Sequence, residues 1–324
     1  MISLKSENRD LESLSNLFYK RIKDKIELKI EDNKAVLNTF VTDKTNKPFG
    51  DFLEKEIKDL ITLSLDDLII KFKDELHDLC ENNYQTINKK YTPFKKALNS
   101  VLFYEAQYSW KAYQTAIEID VNTCVYCNRT YITTVGDDSK KFVRGDFDHF
   151  MPKSTYPYLR FSFFNLIPCC VICNRNAKKA KETSIENNIY PYKEGFDNNT
   201  VFTFLPNNYK DIIGKGKPVV DFLFLGTDEH NKKAKKNIKL FRLKEQYSIH
   251  SQELNDIINK RRVFSDSYLK DLQNSYPKLL NNFEDAYLLA FGKEFDLVKD
   301  ENRPLSKLTR DIADELGIIK NKYD

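Results

Sequence analysis

Apolar residues set the first pattern along the chain. Leu11, Leu14, Phe18, Ile22 and Ile26 recur at the spacing of one helical face, with charged residues filling the gaps. A polar break at residues 43–50 (DKTNKPFG) follows. Leu53, Ile57, Leu60, Ile61, Leu65, Leu68, Phe72, Leu76 and Leu79 then predict a second helix. A third, over residues 93–119, carries Phe94, Leu98, Val101, Leu102 and Trp110. Residues 1–118 therefore read as an N-terminal helical region, either a scaffold or a surface for a partner protein. The pattern does not separate the two.

Near Val121 the pattern shortens. Residues 129–134 (RTYITT) and 141–148 (KFVRGDFD) are rich in β-branched or aromatic side chains and flank the turn-prone VGDDSK, which predicts a hairpin. Residues 163–168 suggest another strand and 171–182 a helix. After YPYKEGFDNNT, strand-like pieces at 201–205 and 219–225 precede helices that resume from Lys232. Leu254, Ile257, Ile258, Val263, Tyr268 and Leu272 are patterned among those helices. In RPLSKLTRDIADELGII, Ser306 or Thr309 is placed to cap a terminal helix. The expected organisation is a helical region 1–118, a small α+β module 119–190, and a region 191–324 of short strands and then helices.

Charge changes this picture only locally. The 324 residues carry 52 Lys+Arg against 48 Asp+Glu, a net +4, so any nucleic-acid surface has to be a patch. The N-terminal MISLKSENRDLESL lacks the apolar core of a signal peptide, and no apolar run approaches the ~20 residues of a membrane span. These features predict a soluble, cytoplasmic chain whose thiols stay reduced.

Of the 6 cysteines, four form two Cys-X-X-Cys pairs, Cys124/Cys127 and Cys170/Cys173. Such spacing lets each pair present both sulfurs to one ion, and structural zinc takes four thiolates tetrahedrally. A redox role would need one pair only, in a thioredoxin-like context that is missing. Cys170 gives the two-residue spacing, which leaves Cys169 a bystander. Cys80 lies three residues after His77 on the second helix, and both read as core residues.

Asp148 and His149 sit where a strand-like segment runs into the loop beginning MPKS. Adjacent strand residues face opposite ways, so the carboxylate can hold a metal while the imidazole approaches from another side. Hard cations such as Mg²⁺ take oxygen ligands, keep several waters and are completed by substrate phosphate. One Asp and one amide oxygen, such as that of Asn174, would suffice. An imidazole of ordinary pKa near ~6.5 is suited to taking a proton from water. Singly, a surface His and a helix-capping Asn are commonplace; their combination is not.

Asp148, His149, Pro152, Asn165, Leu166, Pro168, Cys170, Cys173 and Asn174 together resemble the motif of the HNH (ββα-metal) endonuclease family, in its variant with two Cys-X-X-Cys zinc knuckles. The resemblance covers roughly residues 121–182. It implies a mainly α protein with a small ββα-metal (HNH) α+β module stapled by zinc. It further implies a DNA-cleaving hydrolase in which Asp148 and Asn174 hold Mg²⁺ or Mn²⁺. His149 would activate water, and Asn165 would pin the loop and orient His149. The family often has Lys three residues past the last ligand; here Ala177 stands there and Lys178 follows, leaving Asn176 as a weaker candidate ligand. Stand-alone members with large helical flanks resemble effectors of bacterial anti-phage defence, such as the Septu nuclease subunit, some of which work with an ATPase partner.

Lys153, Arg160, Arg175, Lys178 and Lys179 surround the motif and are the expected nucleic-acid contacts. A second basic cluster, Lys232, Lys233, Lys235, Lys236, Lys239, Arg242 and Lys244, could extend that surface. Tyr156, Tyr158, Phe161, Phe163 and Phe164 read mainly as core, with one tyrosine available to stack on a base. The alternative, from another class, is a non-catalytic zinc-stabilised module that binds nucleic acid or protein. It predicts silent changes at Asp148 and His149.

Overall fold

Helix α1 (Leu11–Leu37) starts where the Asp10 side chain accepts the Ser13 N–H, and buries Phe18, Ile22, Ile26 and Ile30 on one stripe. The computed structural model describes residues 1–5, 9–102, 111–293 and 300–317. Against α1 pack α2 (Phe49–Thr62) and, past α3 (Leu65–Asn83), α4 (Pro93–Val101). The second predicted helix is thus two. Ser64 breaks it, because its side chain caps α3 by accepting the Asp67 N–H. A short hairpin, β1 (Thr86–Ile87) and β2 (Lys90–Tyr91), leads into α4, where Thr92 caps and Pro93 fills the first turn. The third predicted helix is likewise divided into α4 and α5 (Ala112–Ile119), and Trp110 lies outside the described residues.

The described residues contain four separate two-stranded antiparallel ladders. The predicted hairpin of 129–134 with 141–148 forms differently. Strand β3 (Val135–Gly136) pairs with β4 (Lys141–Val143), while β5 (Asp146–His149) pairs with the distant β6 (Leu166–Cys169). In that second ladder Asp148 lies opposite Ile167 and His149 opposite Leu166. Residues 129–134 contribute only a bridge, Thr123 to Tyr131. The helix expected at 171–182 is a shorter π-helical segment, Ile172–Lys178, ended by the left-handed φ of 55° at Lys179. Strand β5, strand β6 and this helix form one compact β–β–helix unit.

Beyond it, β7 (Thr200–Leu205) pairs with β8 (Val219–Phe224), with α6 (Tyr209–Ile212) between them. Among the described residues, helices α7 (Asp228–Leu240), α8 (Leu243–Tyr247), α9 (Ser251–Val263), α10 (Asp266–Ser275), α11 (Phe283–Phe291) and α12 (Ser306–Glu315) follow. Helix α12 packs on β7 and α9. Neither expected cap of α12 acts as one: Leu305, at φ 62°, precedes the helix, and Ser306 and Thr309 are buried inside it. Val263 and Tyr268, expected on the patterned face, are exposed.

One hydrophobic cluster runs through all of this, from Met1 and Leu4 through the helices to Leu308 and Ile312. Phe18 of α1 meets Phe161 and Phe163 at ring distances of 6.3 and 5.9 Å, so the N-terminal helices form the floor beneath the β–β–helix unit. Among the described residues no helix is long and apolar enough to cross a membrane.

Candidate metal centre and active-site cleft

Cys124, Cys127, Cys170 and Cys173 are buried, with their sulfurs all within 4.8 Å of one another. Cys127 Sγ and Cys170 Sγ are 3.9 Å apart. A tetrahedron with metal–sulfur bonds of about 2.3 Å has edges close to that value. Backbone N–H groups of Arg129 and Cys173 point at Cys127 Sγ and Cys170 Sγ, each at 3.4 Å, and favour thiolate there. Hydrogen bonds from Cys124 also hold the Cys170 thiol below its usual range. These residues could hold one metal ion, and a set of four thiolates is the one zinc takes. Cys169 is buried on β6 outside the group, and Cys80 is buried in the core. Beside Cys80, His77 is half-buried rather than a core residue, and forms a second group with the exposed Asp78 and Glu81 on α3.

Helix α8 closes the centre from outside. Gln246 Nε2 lies 3.7 Å from Cys173 Sγ, and the Tyr247 hydroxyl donates to the Cys127 carbonyl at 2.5 Å. Nothing in the sequence spacing of α8 points to these contacts; only the chain's return past the knuckles creates them.

Next to the centre, a cleft of about 490 Å³ is lined by Asp146, Asp148, His149, Asn174, Lys153 and Arg175, among others. Pairing with β6 fixes alternate residues of β5 on opposite faces. Asp148 is buried: the Tyr126 hydroxyl donates to Oδ2 at 2.6 Å and Lys178 Nζ to Oδ1 at 3.1 Å. Burial pushes its carboxyl above the ordinary range, against the pull of Lys178 and Tyr126. Asn174 donates from Nδ2 to Asp146 Oδ2 at 3.1 Å, and Arg175 grips the same carboxylate with two bonds of 2.8 Å. Asn176, two residues on, is exposed and away from the cleft.

His149 is held at Nε2, 3.1 Å from the Arg160 carbonyl. A carbonyl only accepts, so Nε2 carries the proton and the ring's lone pair is on Nδ1. Burial, reinforced by Lys153, lowers its pKa to about 3, well below the ~6.5 of the ordinary imidazole expected from the sequence, so the ring is neutral at pH 7 but a weaker base than that expectation. Asn165 ties the intervening loop. Its Oδ1 accepts the Met151 N–H at 2.7 Å, and its Nδ2 donates to the carbonyls of Met151 and Leu159 at 3.0 and 3.1 Å. Replacing Asn165 with Ala would orphan three buried backbone groups. A loss of about 3 kcal/mol in urea unfolding is expected, since each such group costs about 1–3 kcal/mol.

The expected nucleic-acid contacts divide. Lys153, Arg175 and Lys179 line the cleft. Arg160 and Lys178 are turned inward, contrary to expectation. Arg160 reaches Asn99 Oδ1 of α4 at 2.6 Å and also bonds the Tyr84 hydroxyl. Its carbonyl is thereby placed against His149 by the helical frame. Lys178 is only 1% exposed and donates to the His149 carbonyl at 2.6 Å as well as to Asp148. Tyr156, Tyr158, Phe161 and Phe163 are buried, as core residues. Tyr126 and Asp146 escape sequence reasoning, although Asp146 stands two residues from Asp148 and so on the same strand face.

The second basic cluster is partly neutralised by acids that folding brings to it. Lys233 pairs with Glu194 and Glu229, and Lys244 with Asp221. Lys236 and Lys239 instead line a second concavity of about 590 Å³ together with Lys181. It adjoins the first cleft through residues 179–181.

The chain is similar to Septu protein PtuB of Bacillus thuringiensis. The two are 35% identical over 119 residues, 34% of this chain and 38% of that protein. The similarity thus spans well under half of either chain. No family model and no solved structure matches.

Proposed function

We propose that this chain is a metal-dependent HNH-type endonuclease that hydrolyses phosphodiester bonds of DNA, within a Septu-like anti-phage system that includes an ATPase partner. The observation that carries the reading is the convergence of a neutral, tautomer-fixed His149 with Asp148 and Asn174 on one cation-rimmed cleft. The similarity to Septu protein PtuB supports the defence setting. In the proposal the four-cysteine group holds zinc, which does no chemistry.

A carboxylate, an amide oxygen and a polar cleft make a donor set suited to a hard divalent ion that keeps waters. Asp148 and Asn174 would hold Mg²⁺ or Mn²⁺, which when bound supplies charge neutralisation at the scissile phosphate and the leaving 3′ oxygen. His149 Nδ1 accepts a proton from water as the hydroxide attacks phosphorus. Arg160 and Asn165 keep the imidazole aimed. Arg175 and Lys153 bind non-bridging phosphate oxygens. Lys181, Lys236 and Lys239 extend the track for flanking phosphates. The double variant Lys236→Glu/Lys239→Glu should lower the slope of log K against log [salt] in DNA binding by roughly one to two. An unchanged slope removes this face from the interface.

The test is nicking of supercoiled plasmid with Mg²⁺ or Mn²⁺, with and without chelator, by wild type and His149→Ala. Metal-dependent nicking that vanishes in the variant is expected. Equal cutting by His149→Ala sinks the assignment. One observation favours the non-catalytic reading: both oxygens of Asp148 are already engaged by protein groups. That reading predicts silent changes at Asp148 and His149.

A further inference from the structure

Lys178 ends the π-helical segment, a rare winding that concentrates at functional sites. Its ammonium is 1% exposed and sits 3.1 Å from Asp148 Oδ1 and 2.6 Å from the His149 carbonyl. The other oxygen of Asp148 takes the Tyr126 hydroxyl at 2.6 Å, and the Tyr126 ring is stacked on Phe241 at 4.1 Å. On the open side of the strand, Asp146 has its own cation, Arg175. Each carboxylate of this face is therefore matched with a basic side chain of the same short helix. The two matches differ in kind. Arg175 is largely exposed and can leave Asp146 for another anion, whereas Lys178 is sealed in.

A buried carboxylate without a counter-charge is costly, so Lys178 answers the need of Asp148 for a cation. A divalent ion bound to Asp148 answers the same need. The two cations would then stand within a few ångströms of each other at low effective dielectric, where their repulsion is strong. We propose that Lys178 is a resident counter-cation of Asp148 that competes with the divalent ion, so that metal binding requires Lys178 to withdraw. The inference rests on the nuclease reading above, which places that ion at Asp148. Lys178 is a positioning residue here and touches no substrate. Its withdrawal would also free the His149 carbonyl and couple ion binding to the main chain beside the base. The helix end at Lys179, where φ turns positive, is the place where such a rearrangement can be absorbed.

The experiment is Mn²⁺ binding to the full chain with its tightly held metal retained, followed by the electron paramagnetic resonance of free Mn²⁺. No nucleic acid is present. Lys178→Met is expected to bind Mn²⁺ on the order of tenfold or more tightly than wild type. Adding Asp148→Asn to Lys178→Met should abolish the gain. Lys178→Gln, which keeps a donor for the His149 carbonyl but no charge, should move affinity in the same direction and covers a failure of the Met variant to fold. Equal or weaker Mn²⁺ binding by the folded lysine variants overturns the inference while leaving the nuclease reading standing. Absence of Mn²⁺ binding in every protein overturns both, because it removes the ion from Asp148.

Discussion

Replacing Cys173 with Ser is expected to remove the ion that the four-cysteine group would hold, collapse the centre of the molecule and abolish the proposed cleavage together. Strands β3 to β6 are two to four residues long, and ladders of that size do not persist alone. Four thiolates around zinc contribute on the order of 10 kcal/mol of folding free energy. That rivals the whole stability of an ordinary domain, about 5–15 kcal/mol. Asn174 follows Cys173 directly, and its backbone N–H bonds the Cys170 carbonyl at 3.0 Å. The structural ion would thus fix the start of the helix that carries the expected metal ligand. Elemental analysis, thermal unfolding and plasmid nicking on the same preparation check the prediction. Cys169→Ser serves as the control, since that sulfur lies outside the group. Full metal content and an unchanged melt in Cys173→Ser would refute it.

His149→Ala should lower the cleavage rate about 10²–10⁴-fold, the usual loss on removing a general base. The chain should stay folded with the four-cysteine group intact. The variant leaves the Arg160 carbonyl without its partner and opens a small cavity, so a stability loss of about 1–2 kcal/mol is expected. The split between the two variants is the informative result. A cysteine change removes fold and activity together, while a change at His149 removes activity alone. If both remove only stability, the molecule is a binding module.

Much of the helical frame was legible because burial follows the helical period. Phe18, Ile22 and Ile26 could be read as one stripe, and they are one. Boundaries were harder. The apolar pattern runs unbroken from Leu53 to Leu79, and only the hydrogen bond of the Ser64 side chain ends one helix and starts another. The hairpin prediction failed for a related reason. Residues 129–134 and 141–148 both suit strands by composition, but β5 pairs with the distant β6, whose last residue Cys169 adjoins the second cysteine pair.

Spacing along the chain limits which residue types can meet a metal: paired cysteines twice over, and an Asp-His pair followed by two asparagines. Short-range spacing is enough for that, because a two-residue spacer dictates where both sulfurs can point. Tertiary structure alone decided which charges face the cleft. Lys178 and Arg160 look like phosphate contacts in the chain, yet folding buries one against Asp148 and the other against α4. Tyr126 and Gln246 become neighbours of the site only when distant segments return to it. The reason is physical: a buried carboxylate or carbonyl takes whatever donor the packing brings, and packing partners remote in sequence leave no local pattern to read.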